Sequence, residues 1–257
     1  MRLSRMNVLS ALATSSAMLL MVAGLPAQAS ETDHRIEAAA RNSYNFRTFL
    51  KDDSITVDSR HGTVTLTGSV AEEFHRGLAE QTVADLPGVR SVDNQITIAG
   101  VQPAPASDDW VTMKVKSSLA FHKNVSATAT EVHTAAGVVT LTGVADTDAD
   151  RALTAEYTKD VEGVVAVRNE LTVTATARPR ETVGETIDDS SITAQIKTSL
   201  LFHKSVRAMA TKIITRRGMV SVHGEAKTEA EKATVTRLAE DIKGVKHVTN
   251  HMTIAAG

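Results

Sequence analysis

Hydrophobic and polar residues alternate in three short stretches of the chain, and each stretch has a glycine at both ends. Residues 62–68 read GTVTLTG, residues 137–143 read GVVTLTG and residues 218–224 read GMVSVHG. In the first stretch Val64 and Leu66 fall on one side and the threonines on the other, which is the two-residue period of a β-strand. A strand with one polar face predicts a sheet that is covered on one side only.

A further glycine follows each stretch at a fixed distance and opens a matching apolar run. These runs read GVRSVDNQITI, GVVAVRNELTV and GVKHVTNHMTI. Spacing that returns three times predicts three structural repeats. The first glycine of each set is expected to permit a tight turn, the second to turn the strand abruptly into a helix, and the third to be left-handed past that helix. The structural glycines are Gly62, Gly68, Gly88, Gly137, Gly143, Gly163, Gly218, Gly224 and Gly244.

Helices are predicted on both sides of each glycine-bounded strand. Val111, Val115 and Leu119 recur every four residues, as on one face of a helix, and Asp108 or Asp109 is predicted to cap that helix. A second helix of about sixteen residues is expected after each strand. The fold class predicted is α+β, with three tandem αββαβ units, each a small mixed sheet with two helices on one face.

The N-terminus predicts export. Arg2 and Arg5 precede an apolar stretch, and residues 27–29 form a small-x-small cleavage site, so a signal peptide cleaved after Ala29 is predicted, with a retained membrane anchor as the alternative. No later stretch has the ~20 apolar residues of a membrane span, so the mature chain is predicted to be soluble. The chain has no cysteine, which excludes disulfides and the lipid anchor of a bacterial lipoprotein.

Proline-rich and polar stretches separate the repeats. The predicted organisation is a signal peptide at 1–29, repeats at 30–100, 107–175 and 190–257, and linkers at 101–106 and 176–189.

The glycine and strand motifs quoted above are similar to those of the BON-domain family. The resemblance covers nearly the whole mature chain and implies an αββαβ fold and a location in the cell envelope. Together with the predicted signal peptide, it predicts a periplasmic protein. It further implies non-enzymatic roles: phospholipid binding, envelope integrity under osmotic stress, and chaperone-like help to other envelope proteins. The family offers no catalytic residues to carry over. The family's osmotically induced type has two such domains, whereas this chain has three.

Charge distinguishes the third repeat from the other two. Residues 30–100 hold seven basic and eleven acidic residues, 107–177 hold six and ten, and 190–257 hold eleven and five. Arg216 and Arg217 are predicted in a hairpin turn beside Met219, which points away from the core. Such a turn suits anionic lipid headgroups; the alternative is a solvated basic face, or one that packs on the acidic repeats. The lipid-binding candidates are Lys204, Arg207, Lys212, Arg216, Arg217, Met219, Lys243 and Lys246.

Other chemistry finds little support. Only 3% of residues are aromatic, none interleaves with the basic cluster to stack bases, and nucleic acid is not expected as a partner. No phosphate-loop or GxSxG motif occurs, so no cofactor, small-molecule substrate or catalytic residue is predicted. His247 and His251 are four apart but in a strand, and no metal site is predicted. His122 and His203 end the first helices of their repeats, near the negative dipole end. A repeated asparagine in the last strand predicts a bulge or a side-chain bond to the backbone.

Two functions therefore remain open from the sequence. The first is a peripheral module that binds anionic phospholipid through the third repeat. The second is a soluble periplasmic chaperone or scaffold for envelope proteins. The oligomeric state and the packing of the repeats are not predicted.

Overall fold

The computed structural model describes residues 25–100, 102–174, 186–206 and 211–255, the first six of them as backbone only. The first repeat comprises α1 (Leu25–Asn42), α2 (Tyr44–Thr48), β1 (Ser54–Arg60), β2 (Thr63–Val70), α3 (Glu73–Ala84), β3 (Ser91–Asn94) and β4 (Thr97–Ile98). The second comprises α4 (Asp108–Phe121), a 3-10 turn (Ala127–Ala129), β5 (Thr130–Ala135), β6 (Val138–Ala145), α5 (Asp148–Asp160), β7 (Ala166–Asn169) and β8 (Thr172–Val173). The third comprises α6 (Asp189–Phe202), β9 (Thr211–Arg216), β10 (Met219–Ala226), α7 (Glu229–Glu240), β11 (His247–Asn250) and β12 (Thr253–Ile254).

Each repeat builds one mixed sheet around its glycine-bounded strand. The middle strand (β2, β6 or β10) pairs antiparallel with the strand before it and parallel with the two short strands that end the repeat. Val64 and Leu66 are fully buried beneath the helices, while Thr63 on the other face is exposed. The predicted α+β class with three αββαβ units is thus confirmed.

The repeated asparagine explains why the last strand is split in two. The side-chain amide of Asn94 donates to the carbonyl oxygen of Arg76 on α3 (3.2 Å), and its Oδ1 accepts from the N–H of Ile96. Asn169 and Asn250 make the same pair of bonds in their own repeats. The predicted side-chain bond to the backbone is confirmed, and it ties the last strand to the second helix.

The second glycine of each set was predicted to turn the strand into a helix, and this prediction is wrong. Gly68 has φ +113 within β2, which continues to Val70 before α3 begins. A Cβ at Gly68 would lie 1.8 Å from the carbonyl oxygen of Ser54 on β1, and at Gly143 it would lie 2.1 Å from that of Ala129. These glycines let two strands approach closely. The second helices are also shorter than predicted, with twelve residues in α3.

The hydrophobic cores do not follow the order of the repeats along the chain. The second repeat has a core of its own, whereas the cores of the first and third repeats are continuous. Helix α6 of the third repeat connects its core to that of the first, because it packs against α3. It also packs against α4 of the second repeat. Phe121, at the end of α4, is fully buried in the shared core with its ring 5.1 Å from that of Phe49.

A buried polar network fixes the contact between the first and third repeats. Asn45 of α2 is fully buried, donates to Thr82 Oγ1 (2.8 Å) and accepts from Gln195 Nε2 (2.8 Å) on α6. The N–H of Tyr44 donates to Asp188, which caps α6 by accepting from the N–H of Ser191. Burial alone would raise the pKa of Asp188, but hydrogen bonds from the Ser190 hydroxyl and from these N–H groups hold it below the usual value.

The second and third repeats meet in a pseudo-two-fold arrangement. The N–H of Lys123 donates to the carbonyl of Asp241 and that of Lys243 to the carbonyl of Phe121, so the end of α4 pairs with the end of α7. The ends of α5 and α6 make the equivalent exchange. That second exchange joins Glu162 N to Phe202 O and Lys204 N to Asp160 O. The first helix of each of these two repeats therefore pairs at its C-terminal end with the second helix of the other repeat.

Among the helices that the structure describes, none is long and apolar enough to cross a bilayer.

Candidate functional site

The hairpin turn of the third repeat carries the densest group of the predicted cations. Arg217 and Gly218 both have positive φ (+54 and +77), as a two-residue hairpin turn requires. The carboxylate of Asp189, the first residue of α6, accepts from both of their N–H groups, at 2.6 and 2.9 Å. The turn is therefore fixed to the helix and its side chains project outward.

Lys246 and Met219 complete this surface. The N–H of Lys246 donates to Gly218 O (2.8 Å), and its Cγ and Cδ lie 3.2 Å from where a Cβ on Gly218 would be. Met219 is 47% exposed. We name Arg216, Arg217, Gly218, Met219 and Lys246 the third tip. Within the described residues, none of its cations lies within ion-pair distance of a carboxylate.

Two predicted candidates belong to an interface instead. The ammonium of Lys204 donates to the carbonyl of Lys159 (2.6 Å) and lies 3.9 Å from Asp160. Lys243 donates to the carbonyl of Ala120 (3.1 Å). Both contact the second repeat, which is the packing on the acidic repeats that the sequence left open.

Two lipid-binding candidates remain, Lys212 and Arg207. Lys212 is exposed on β9, on the same sheet face as Met219. Arg207 lies outside the described residues.

The corresponding surfaces of the other repeats differ in chemistry. The first tip has Arg60, His61 and Arg90, but Arg60 is paired with Asp58 at 3.1 Å. The second tip, made of Ala135, Ala136, Gly137, Val138 and Val165, bears no charge. Val165 occupies the position of Lys246 and is 78% exposed.

An aspartate holds each tip, a role that the sequence analysis did not predict. Asp108 or Asp109 was expected to cap α4, but Ser107 caps it, and Asp108 accepts from the N–H groups of Ala136 and Gly137. Asp33 and Asp189 act alike in their repeats. The constant spacing was a usable signal: the aspartate lies 29 residues before the turn glycine in all three repeats.

A second group of polar residues lies buried between the second and third repeats. The ring of His122 is fully buried and stacks on that of Tyr157 at 3.8 Å, and the Tyr157 hydroxyl donates to Asp241 (2.5 Å). Burial lowers the pKa of His122 to about 4. Both ring nitrogens of His122 lack a hydrogen-bond partner among the described residues. His122 also lines a cavity just large enough for one water.

The other histidine at this interface behaves similarly. His203 Nδ1 accepts from the N–H of Ser205, and Nε2 lies 3.7 Å from Asp160. Burial lowers its pKa as well, against the opposing effect of Asp160. Both histidines do end helices, as predicted, but burial between repeats outweighs the helix dipole that would favour their charged form.

The described residues contain no group of three or more histidine, aspartate or glutamate side chains placed to hold a metal ion. His223 and His251 form a stacked pair, with ring centroids 4.9 Å apart.

The architecture is that of a tandem array of small αββαβ modules with open sheet faces. A sequence profile of the BON domain matches residues 32–100, 107–175 and 188–256, one match to each repeat. The chain therefore belongs to the BON-domain family.

Individual relatives cover parts of the chain. Osmotically-inducible protein Y of Escherichia coli K12 is 32% identical over 145 residues, which are 56% of this chain and 71% of that protein. Outer membrane lipoprotein DolP of Haemophilus influenzae is 34% identical over 90 residues, 35% of this chain and 44% of that protein. CdsD, a structural protein of the type III secretion system of Chlamydia trachomatis, is 17% identical and covers 88% of this chain and 93% of its own. Its TM-score of 0.25 is too low to compare folds.

Proposed function

We propose that this chain is an exported, non-enzymatic protein of the bacterial envelope whose third repeat binds anionic phospholipid surfaces. The observation that carries this proposal is the third tip, where Arg216, Arg217 and Lys246 are exposed with no carboxylate partner among the described residues, beside the exposed Met219. Each such cation near a strongly anionic membrane contributes about 1 kcal/mol to binding. Three cations and a thioether that can enter the headgroup layer suffice for salt-sensitive attachment.

The relatives and the N-terminus support the location. One relative is named as osmotically inducible and another as an outer membrane lipoprotein. With a signal peptide removed after Ala29, this chain would meet the membrane from the periplasmic side. We further propose that it supports envelope integrity under osmotic or other stress.

Co-sedimentation of residues 30–257 with vesicles tests the contact. Wild-type protein is expected to bind phosphatidylglycerol vesicles but not phosphatidylcholine vesicles, and to lose binding as salt rises and screens the charges. The double variant Arg216→Glu/Arg217→Glu should lose most of this binding.

The first tip supplies a matched control. Arg60→Glu/Arg90→Glu changes the net charge by the same amount on an equivalent turn, and should leave binding largely intact. Equal losses in both double variants would show that only overall charge matters and would refute the assignment to the third tip. No binding in any condition would reject the lipid proposal itself.

A second candidate function rests on the second tip. Val165 is 78% exposed and extends an uncharged turn, a surface that suits an unfolded apolar segment better than water. A soluble chaperone or scaffold would use this surface. Val165→Asp should then abolish suppression of a client's aggregation, whereas Arg216→Glu/Arg217→Glu should not affect it; the opposite pattern would reject this candidate.

A further inference from the structure

The third tip is one edge of a larger surface, the open face of the third sheet. Register places Met219 between Arg216 and His247, and Ser221 between Ile214 and Thr249. His223 lies beside Lys212 on β9, and its ring stacks on that of His251. The open face, as we use the term, comprises Lys212, Ile214, Arg216, Met219, Ser221, His223, His247, Thr249 and His251. None of these residues is buried.

The equivalent positions of the other repeats show that this composition is particular to the third. The nine positions of the first sheet hold one arginine, Arg60, and two carboxylates, Asp58 and Asp93. Those of the second hold Arg168 with Glu131 and Glu170. The open face of the third has two cations, three histidines and no carboxylate. The nearest carboxylate on the same side is Glu225, two residues beyond His223 on β10.

The shape of this surface favours a flat partner. The three strands spread the side chains over roughly 10 Å across the sheet, at ~4.8 Å per strand. None of these side chains is buried beneath a helix of the described residues. Arg216 and Met219 belong to both the open face and the third tip, so a membrane that the tip contacts also meets this face when the sheet leans onto it.

Histidine makes the charge of such a face depend on pH. Imidazole gains a positive charge between about pH 8 and pH 5. The groups beside the three rings are Lys212 and His251 around His223, Met219 and then Arg216 in the row of His247, and Glu225 beyond. An anionic surface laid against a face that carries imidazoles favours their protonated form. Binding and protonation are then linked, and each strengthens the other.

We propose that the open face of the third sheet is an anionic-phospholipid contact whose affinity rises on acidification through His223, His247 and His251. This inference rests on the proposed lipid-binding function and adds the histidines to the contact. Since one charge near an anionic membrane is worth about fivefold in the binding constant, partial charging of three rings should strengthen binding about fivefold or more.

The first repeat provides substitutions that the fold already accommodates. His223, His247 and His251 correspond to Thr67, Ser91 and Gln95. The variant His223→Thr/His247→Ser/His251→Gln therefore removes the imidazoles and keeps residues that occur on an equivalent sheet. His133→Thr, on the open face of the second sheet, is the matched control.

Binding to phosphatidylglycerol vesicles is measured at pH 7.5 and 5.5, because the phosphodiester keeps its charge at both values. Wild type and His133→Thr should bind about fivefold or more tightly at pH 5.5. The triple variant should bind like wild type at pH 7.5, within about twofold, and should show no strengthening at pH 5.5. Thermal unfolding at both pH values verifies that all variants remain folded.

The outcomes separate the two proposals. A triple variant that keeps the full acid response, or a wild type whose binding does not change with pH, overturns the inference and leaves lipid binding by the third tip standing. A wild type that binds at neither pH overturns both. A response lost equally in His133→Thr also overturns it, because the effect would then not belong to this face.

Discussion

The second and third repeats share a fold and a pseudo-two-fold interface, yet their tips have opposite chemistry. In both, an aspartate at the helix start binds the two N–H groups of the hairpin turn, and an asparagine ties the last strand to the second helix. One tip then presents Val165 where the other presents Lys246. The repeated residues build the scaffold, and the residues that vary at the tips are where the functions of the repeats diverge.

Substitution of the strand glycines is expected to have the largest effect on the stability of individual repeats. Gly143→Ala places a Cβ 2.1 Å from the Ala129 carbonyl oxygen at φ +113, and should cost about 3 kcal/mol or more in the free energy of unfolding. Because the second repeat has its own core, the loss should appear first in the fluorescence of Trp110, which packs on that core. Gly68→Ala should instead lower the urea midpoint measured by circular dichroism, because it disrupts the shared core.

Gly77→Ala is the control for these variants. Gly77 lies within α3 with nothing within 4 Å of an added Cβ, so alanine there should stabilise by about 0.5–1 kcal/mol. Identical shifts of both probes in Gly68→Ala and Gly143→Ala would mean that the three repeats unfold as one unit, contrary to the separation of the cores.

Phe121 and Phe202 occupy equivalent places in the pseudo-two-fold interface but differ in burial. Phe121 is fully buried in the shared core, whereas Phe202 is only partly buried. Phe121→Ala should therefore cost about 3–5 kcal/mol of unfolding free energy. Phe202→Ala should cost less than half as much. Chemical denaturation of the two variants measures the difference. Equal losses of unfolding free energy would show that Phe121 and Phe202 contribute equally despite their different burial.

Acid should weaken the interface between the second and third repeats. Burial lowers the pKa of His122 to about 4 from an ordinary 6.5, so the unfolded state binds the proton first as pH falls. The free energy of unfolding should therefore decrease from about pH 6.5 to about pH 4, by at most ~1.4 kcal/mol per pH unit from this residue, and not further below.

His122→Phe keeps a ring against Tyr157 and removes the titration. Its unfolding free energy should depend less on pH over that range, as measured by urea unfolding at several pH values. The same slope in the variant and the wild type would assign the acid effect to other groups, of which His203 is the nearest by position in the interface.

Periodicity predicted the main helices and strands and their inward faces, but not the short helix α2 or the split of the last strand. Val64, Leu66 and Leu119 are buried as the two-residue and four-residue spacings indicated. The role of Gly68 was missed because a glycine at the end of an alternating stretch looks the same whether the strand turns or approaches its neighbour closely. The difference lies in Ser54 on another strand.

The packing of the repeats against each other could not be predicted from the sequence for a related reason. Gln195 and Ser191 of α6 are fully buried, but polar residues on a helix are ordinarily assigned to solvent. Their partner Asn45 is 146 to 150 positions away, and no local pattern reveals it. A faint signal existed: between Asp189 and His203 the helix has a single charged residue, Lys197. Few solvent-facing helices are so poor in charge.

The core shared by the first and third repeats also imposes an order of events on the growing chain. Helix α3 packs on α6, more than a hundred residues further along, with a complete repeat between them. The first repeat to be synthesised thus lacks its covering partner until nearly the whole polypeptide exists. Contacts so distant along a chain form slowly. The first repeat is therefore expected to complete its core late in folding, after the third repeat has formed.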